Sequence, residues 1–255
     1  MTETPKLAWR AVAKAFGPKQ VLAGMDLAVG RGRSLALIGG SGQGKSVTIK
    51  LAMGLMRPDA GQVLVDGQDI AALPTSAVRA AAANMGVLFQ GGALFDSLTV
   101  WENVAFRLLN VENTPRREAR ERAIGALGLV RLAESVADLY PNELSGGMQK
   151  RVGLARAIVG TPDVLFFDEP TTGLDPITSG AINELIRDRV TSLGCTAVSI
   201  THDLVSARTI ADDIAMLHQG RIVWTGAASE LDTTDNPYVR QFVAGAATGP
   251  IAANW

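Results

Sequence analysis

The sequence has a single cysteine, Cys195, so no intrachain disulfide is available and the chain reads as one made for a reducing compartment. It also lacks a charge excess: 24 Lys and Arg stand against 25 Asp and Glu, a formal net charge of −1. That excludes a protein that coats nucleic acid with a broadly basic surface. No apolar run approaches the roughly 18 residues needed to span a bilayer. The opening MTETPKLAWR has no basic region followed by an apolar stretch, so no signal peptide is expected. What is present is an ordinary globular composition, 47% hydrophobic and 19% charged over 255 residues, which excludes disorder as the dominant state. A chain of this length buries about three quarters of its unfolded surface without staples and reads as one large domain or two small ones. The expectation at this level is a soluble cytoplasmic α/β protein.

The pattern along the chain is more specific. Leu7 to Val12 and Gln20 to Leu27 read as strands punctuated by Gly17-Pro18. The apolar run Arg33 to Ile38 ends in GGSGQGKS, and a helical pattern from Lys45 to Met56 follows, with Pro58 as its stop. Gln62 to Asp66, Met85 to Gln90, Val164 to Phe167 and Thr196 to Thr201 read as further strands, the last two short and apolar, as strands buried on both faces of a parallel sheet are. Helical stretches at Gly147 to Val159 and Ile177 to Leu193 alternate with them, which argues for a parallel α/β core. From Thr99 to about Pro141 the periodicity is helical throughout, so this part is an insertion into that core.

Three motifs carry chemistry. GGSGQGKS, comprising Gly39, Gly40, Ser41, Gly42, Gln43, Gly44, Lys45 and Ser46, has the phosphate-loop spacing between a strand and a helix. Its glycines let backbone N–H groups turn inward as an anion nest, and the helix N-terminus adds its positive end. Lys45 is placed to reach β- and γ-phosphates, and the Ser46 hydroxyl to ligate Mg²⁺. VLFFDEP delivers Asp168 and Glu169 at the C-terminal end of a strand, the edge at which open parallel sheets bind ligands. Asp168 suits Mg²⁺ and Glu169 suits a general base for an attacking water. LSGGMQKR opens a second helix with Ser145, Gly146 and Gly147, again an anion-ready terminus. A serine cap alone is commonplace, but each glycine costs a helix roughly 1 kcal/mol against Ala, which capping does not explain.

Taken in order, these residues resemble the nucleotide-binding subunit of an ABC transporter, over nearly the whole chain. The resemblance implies a P-loop NTPase of the ABC type: a RecA-like parallel core sheet, an N-terminal antiparallel β subdomain and an inserted α-helical subdomain. It divides the single domain into a catalytic core with the β subdomain over about 1–90 and 160–240, a helical subdomain over 91–159, and a tail over 241–255. It further implies that Gln90 is the Q-loop glutamine that senses Mg²⁺ or water, that Asp175 is the D-loop aspartate, and that His202 is the switch histidine touching the γ-phosphate. Phe16 stands where an aromatic ring stacks on adenine. Read alone, His202 is a helix-start histidine and Phe16 is either core or stacking ring. Val47 stands where a second hydroxyl residue often contacts the α-phosphate, Met148 replaces the signature glutamine, and Phe16 replaces a tyrosine. ATP and Mg²⁺ are the implied cofactors. Cys195 reads as a small buried strand residue, and the Arg116 to Arg122 run as a solvated helix face.

Two features resemble the Mla (maintenance of lipid asymmetry, also Mkl) group in particular: the segment GGALFDSLTVWENVAF after Gln90, and LSGGM in place of LSGGQ. The ending from Tyr238 to Pro250 does so as well. That resemblance implies phospholipid transport between bacterial membranes, at the cytoplasmic face of the inner membrane. The implied partners are a second copy of the chain, a membrane permease, an MCE-domain lipid-binding subunit and in some cases a small STAS-domain protein, with no nucleic acid. The motor motifs alone are equally compatible with another cargo, such as an amino acid or lipoprotein. Leu94, Phe95, Leu98, Val100 and Trp101 form an apolar cluster, read either as a docking patch or as the cover of the helical subdomain's own core. The tail from Ala244 to Trp255 is expected to be disordered or, as the resemblance suggests, docked on the second copy.

Overall fold

The computed structural model describes residues 4–252. They group into two compact units, one formed by the chain up to Ala82 and from Val198 onward, the other by Ala83–Ala197. The first unit opens with a hairpin of β1 (Leu7–Phe16) and β2 (Lys19–Val29), both longer than the sequence pattern suggests. Its turn needs Gly17, at φ 58°. Then come β3 (Ser34–Ile38), buried along its whole length, α1 (Lys45–Ala52), β4 (Ala60–Val65), β5 (Gln68–Asp69) and α2 (Thr75–Ala83). An antiparallel sheet has the order β2-β1-β4-β5, the expected β subdomain. Trp9 of β1 is 1% exposed and donates its Nε1–H to the Thr48 carbonyl at 3.3 Å, which pins α1 to this sheet. Pro58 is not what ends α1. The helix stops at Ala52, and the chain turns at Gly54, φ 68°, where a Cβ would lie 2.2 Å from the Val78 side chain.

The second unit holds β6 (Met85–Leu88), α3 (Val100–Val104), α4 (Phe106–Asn110), α5 (Arg116–Leu129), α6 (Gly146–Ile158), β7 (Val164–Asp168) and α7 (Pro176–Leu193). Strands β6 and β7 pair in parallel, Met85 opposite Val164 through Leu88 opposite Phe167. From Thr99 to about Pro141 the ordered elements are helical, as the periodicity indicates, but in separate helices: α3 and α4 of five residues each and α5 of fourteen. Val100 and Trp101 are buried core, with the Arg116 guanidinium 4.7 Å over the Trp101 ring. Phe95 stays 44% exposed and stacks on Phe106 at 4.6 Å between centroids. The apolar cluster is thus divided: part is core, and Phe95 with the half-buried Leu94 and Leu98 remains at the surface. The Arg116 to Arg122 face is solvated, with i,i+4 pairs at 3.1 Å (Arg117–Glu121) and 4.0 Å (Arg122–Glu118).

Close approach explains Gly86. A Cβ there would lie 2.1 Å from the Ala157 carbonyl oxygen, because β6 packs directly against α6. Gly86→Ala is therefore expected to cost about 1–3 kcal/mol of stability through overpacking, read as a lowered urea midpoint at unchanged slope.

Strand β8 (Thr196–Ile200) leads back into the first unit, followed by α8 (Leu204–Ile210), β9 (Asp213–His218), β10 (Arg221–Ala227) and α9 (Pro237–Ala244). Here the strand order is β10-β9-β3-β8, with β3 and β9 parallel and β10 antiparallel at the edge. Ala36, Ile38, Ala207, Ile214, Met216 and Val239 form the core beneath it. Gln241 of α9 donates to the carbonyls of Ala246 and Ile251 at 3.0 Å and accepts from the Ile251 N–H at 2.7 Å, so the tail folds back on its own chain this far. Trp255 lies outside the described residues.

Cys195 is 4% exposed, just before β8, and burial pushes its thiol up to about 11. At pH 8 that leaves on the order of one thiolate in a thousand. Aromatic-disulfide labelling of the native chain is accordingly expected to be far slower than after unfolding in urea.

Candidate functional site

The phosphate loop leaves β3 at Gly39 and enters α1 at Lys45. Its backbone is one that only glycine allows. Gly39 has φ 145° and a Cβ would lie 2.3 Å from the Leu217 carbonyl oxygen. Gly44, φ 103°, is the N-cap of α1, and a Cβ there would meet Val21 and Leu22 at 2.9 Å. The helix starts with no side-chain cap bond and no acidic residue in its first turn, so its positive end faces the loop uncompensated by side chains. Lys45 is 8% exposed, and its ammonium donates to the Gly39 and Gly40 carbonyls at 2.8 Å each. The Gln43 Oε1 accepts from the Gln219 N–H at 2.6 Å and fastens the loop to the β9–β10 turn. Ser41 and Gly42 are exposed, while Ser46 and Val47 are half-buried in the first turn of α1.

Two more expected residues lie in this unit. Phe16 ends β1 45% exposed, with the Lys14 ammonium 5.7 Å from its ring centroid, so it is a surface ring and not core. His202 is exposed directly after β8. Its neighbours are anchored: the Thr201 N–H donates to Leu37 O at 3.4 Å, and Asp203 caps α8 by accepting from the Val205 and Ser206 N–H groups at 3.0 and 3.1 Å. Burial works to raise the Asp203 pKa, but the Ser206 hydroxyl, these two N–H groups and the His202 charge together hold it below the usual carboxylate range.

The second unit carries the others. Gln90 is exposed just past β6. The turn after it uses Gly91 and Gly92 at φ 75° and 80°, and Arg156 of α6 donates to the Gly92 and Ala93 carbonyls at 2.7 and 2.8 Å. Ser145 is the N-cap of α6 and accepts from the Met148 N–H at 3.3 Å; Ser145 and Gly146 are exposed. A Cβ on Gly147 would lie 2.9 Å from the Thr178 methyl, so this glycine lets α6 approach α7. Asp175 caps α7, accepting from the Ile177 and Thr178 N–H groups at 3.0 Å each. The Thr178 hydroxyl first, then these N–H groups, holds its carboxyl below the usual range.

Asp168 closes β7, half-buried, and Glu169 follows at φ 53°. A left-handed glutamate costs of order 1–3 kcal/mol and persists only where its surroundings hold it. Here the Thr172 hydroxyl donates to its carboxylate at 2.7 Å, and the Lys150 ammonium of α6 lies 3.5 Å from its backbone carbonyl oxygen. Lys150 is 4% exposed. Burial lowers its pKa, and the charges of Glu169 and Asp168 work against that.

The structure thus brings the phosphate loop, Phe16 and His202 into one unit, and Gln90, the LSGGM helix end, Asp168, Glu169 and Asp175 into the other. Sequence reasoning missed Thr172, Arg156 and Lys150. For Lys150 a signal existed: it lies on the same helix stripe as Gly153, Leu154 and Ala157, all buried. A lysine on such a stripe calls for a buried anion.

Comparison with known proteins gives concordant results. The family described as ABC transporter matches residues 22–172. The chain is 39% identical over 242 residues to the intermembrane phospholipid transport system ATP-binding protein MlaF of Escherichia coli K12, covering 95% of this chain and 90% of that protein. It is 38% identical over 240 residues to the probable ribonucleotide transport ATP-binding protein mkl of Mycobacterium tuberculosis, covering 94% and 67%. Among solved structures, a dimeric post-hydrolysis state of the ATP-binding cassette MJ0796 bound to ADP and Pi superposes with a TM-score of 0.79 at 30% identity, covering 87% of this chain and 98% of that one.

Proposed function

Because the chain belongs to the ABC transporter family, we propose that it is the nucleotide-binding subunit that powers a transporter moving phospholipid between bacterial membranes. It is an ATPase of the ABC fold and binds adenine nucleotide. The observation that carries the chemical reading is Glu169: a carboxylate held in a strained backbone conformation directly behind a strand-end aspartate. The lipid reading is supported by the extent of the match to MlaF, which spans 90% of that protein.

In this reading the N–H groups of Gly39 through Val47 wrap the phosphates of ATP, Lys45 reaches the β- and γ-phosphates, and Phe16 stacks on adenine. The donor set fits Mg²⁺: the Ser46 hydroxyl, the Gln90 side-chain oxygen and the Asp168 carboxylate would hold it in this reading. When bound, Mg²⁺ neutralises charge on the phosphates. Glu169 takes the proton of the attacking water and His202 contacts the γ-phosphate.

Each site also uses a second copy, whose Ser145, Gly146 and Gly147 cap the nucleotide and whose Asp175 lies beside it. One chain offers two anion-ready helix ends but one phosphate loop. Ile177, 86% exposed two residues beyond Asp175, is an apolar side chain that a second copy would cover. ATP favours the closed pair through its greater affinity for that state. No described helix is long and apolar enough to cross a membrane. In this reading, which rests on the match to MlaF, the chain works beside a permease at the cytoplasmic face of the inner membrane. The exposed Phe95 with Leu94 and Leu98 forms the contact. An MCE-domain lipid-binding subunit and a small STAS-domain protein complete the assembly.

The test is purification of the tagged chain from its native cells in mild detergent, with mass spectrometry of proteins and lipids. A permease, an MCE-domain protein and bound phospholipid are expected. A permease with a soluble solute-binding protein, and no lipid above background, overturns the lipid assignment and leaves the ATPase standing.

A further inference from the structure

We propose that Lys150 is a positioning residue that ties the geometry of Glu169 to what occupies the Ser145–Gly147 helix end of the same chain. The inference rests on the two-copy reading above, in which that helix end meets the nucleotide of the second copy while Glu169 serves the chain's own phosphate loop.

Three observations carry it. Lys150 and Ser145 belong to one continuous helix, α6, five residues apart, or about 7.5 Å along the axis. A shift of the helix N-terminus on binding is therefore passed to Lys150 as a rigid displacement. Lys150 is buried, the residue 4% exposed, and its ammonium lies 3.5 Å from the Glu169 carbonyl oxygen. Glu169 is itself held out of the ordinary backbone regions, at φ 53°. A residue in such a conformation relaxes when one of its restraints is withdrawn. The Thr172 hydroxyl restrains its carboxylate, while Lys150 restrains its backbone and supplies the buried positive charge that faces Asp168 and Glu169. Of these two restraints, Lys150 alone lies on the helix that presents the LSGGM end. Nucleotide in one site therefore sets the base of the other, and the two sites fire together. Loss of the ammonium uncouples them.

The experiment compares Lys150→Met and Lys150→Arg with the wild-type full chain, recording ATPase rate against ATP concentration, thermal melting, and ATP-dependent dimer formation in the Glu169→Gln background. A cooperative wild type is expected. Lys150→Met should lower kcat about tenfold with KM changed less than about threefold, and bring the Hill coefficient down towards 1. It should still form the ATP-dependent dimer. Lys150→Arg, which keeps charge and donors, should recover most of kcat and the cooperativity. The inference is overturned if Lys150→Met keeps wild-type kcat and cooperativity, if kcat falls with cooperativity undiminished, or if Met and Arg are equally defective in step with a lowered melting temperature. A wild type that neither dimerises with ATP nor shows cooperativity overturns the two-copy reading and this inference with it. A cooperative wild type indifferent to Lys150→Met overturns this inference alone.

Discussion

Glu169→Gln is expected to slow steady-state ATP hydrolysis by about 10²–10⁴-fold, the span a positioned general base contributes, while nucleotide affinity stays near wild type. The substitution is nearly isosteric, and the amide oxygen still accepts the bond that Thr172 gives at 2.7 Å, so the strained turn after β7 is retained. What is lost is the ability to take a proton from water. Phosphate release measured alongside equilibrium binding of a fluorescent ATP analogue separates the two effects. Turnover within a few fold of wild type would show that another group, or no general base at all, activates the water.

Lys45→Ala is expected to act earlier, on binding. Its ammonium is the one side-chain cation that the phosphate loop itself supplies, and hydrogen bonds to charged groups are worth about 1.5–3 kcal/mol, roughly 10- to 150-fold in affinity. Lys45 also holds the Gly39 and Gly40 carbonyls, so some loss of loop order accompanies the loss of charge. Both effects weaken ATP binding, and hydrolysis falls with it. Isothermal titration with ATP and Mg²⁺ reads the change directly, and a melting curve shows that the fold survives. Unchanged affinity would remove the phosphate loop from the account.

These residues were legible in the sequence because their chemistry is tied to backbone geometry that leaves a residue-type signature. A loop that needs φ 145° at Gly39 and φ 103° at Gly44 writes glycines at fixed spacing. A strand buried on both faces writes VLFF before its carboxylates. The strands β1, β2 and β4 and the parallel core strands were readable for the same reason, while the antiparallel pairing around β1 came from the resemblance and is seen in the structure. What escaped has no such signature. The edge strand β10 is half-buried and does not alternate cleanly, and α2 buries no residue fully and so offers no strong face to find. Strand and helix periodicity had little to act on there. The end of α1 was misplaced because Gly54, packed against Val78, ends it before Pro58 can. Arg156 acts on carbonyls more than sixty residues away in sequence, which spacing does not encode, while Lys150 left only its place on a buried helix stripe, which does not name its partner. Phe95, Val100 and Trp101 form one run in sequence but face different surroundings, which only the packing of α3 against α5 and α6 decides.

The central claim is that ATP joins two copies of this chain, each completing the other's site with its LSGGM helix end. Light scattering of the Glu169→Gln chain in solution, with and without ATP and Mg²⁺, tests it most directly. The expected mass is that of one chain without nucleotide and of two with it, and a further Ser145→Arg change should return the mass to one chain while ATP remains bound. A single-chain mass at saturating ATP, or a dimer that forms without nucleotide and ignores Ser145→Arg, would contradict the claim.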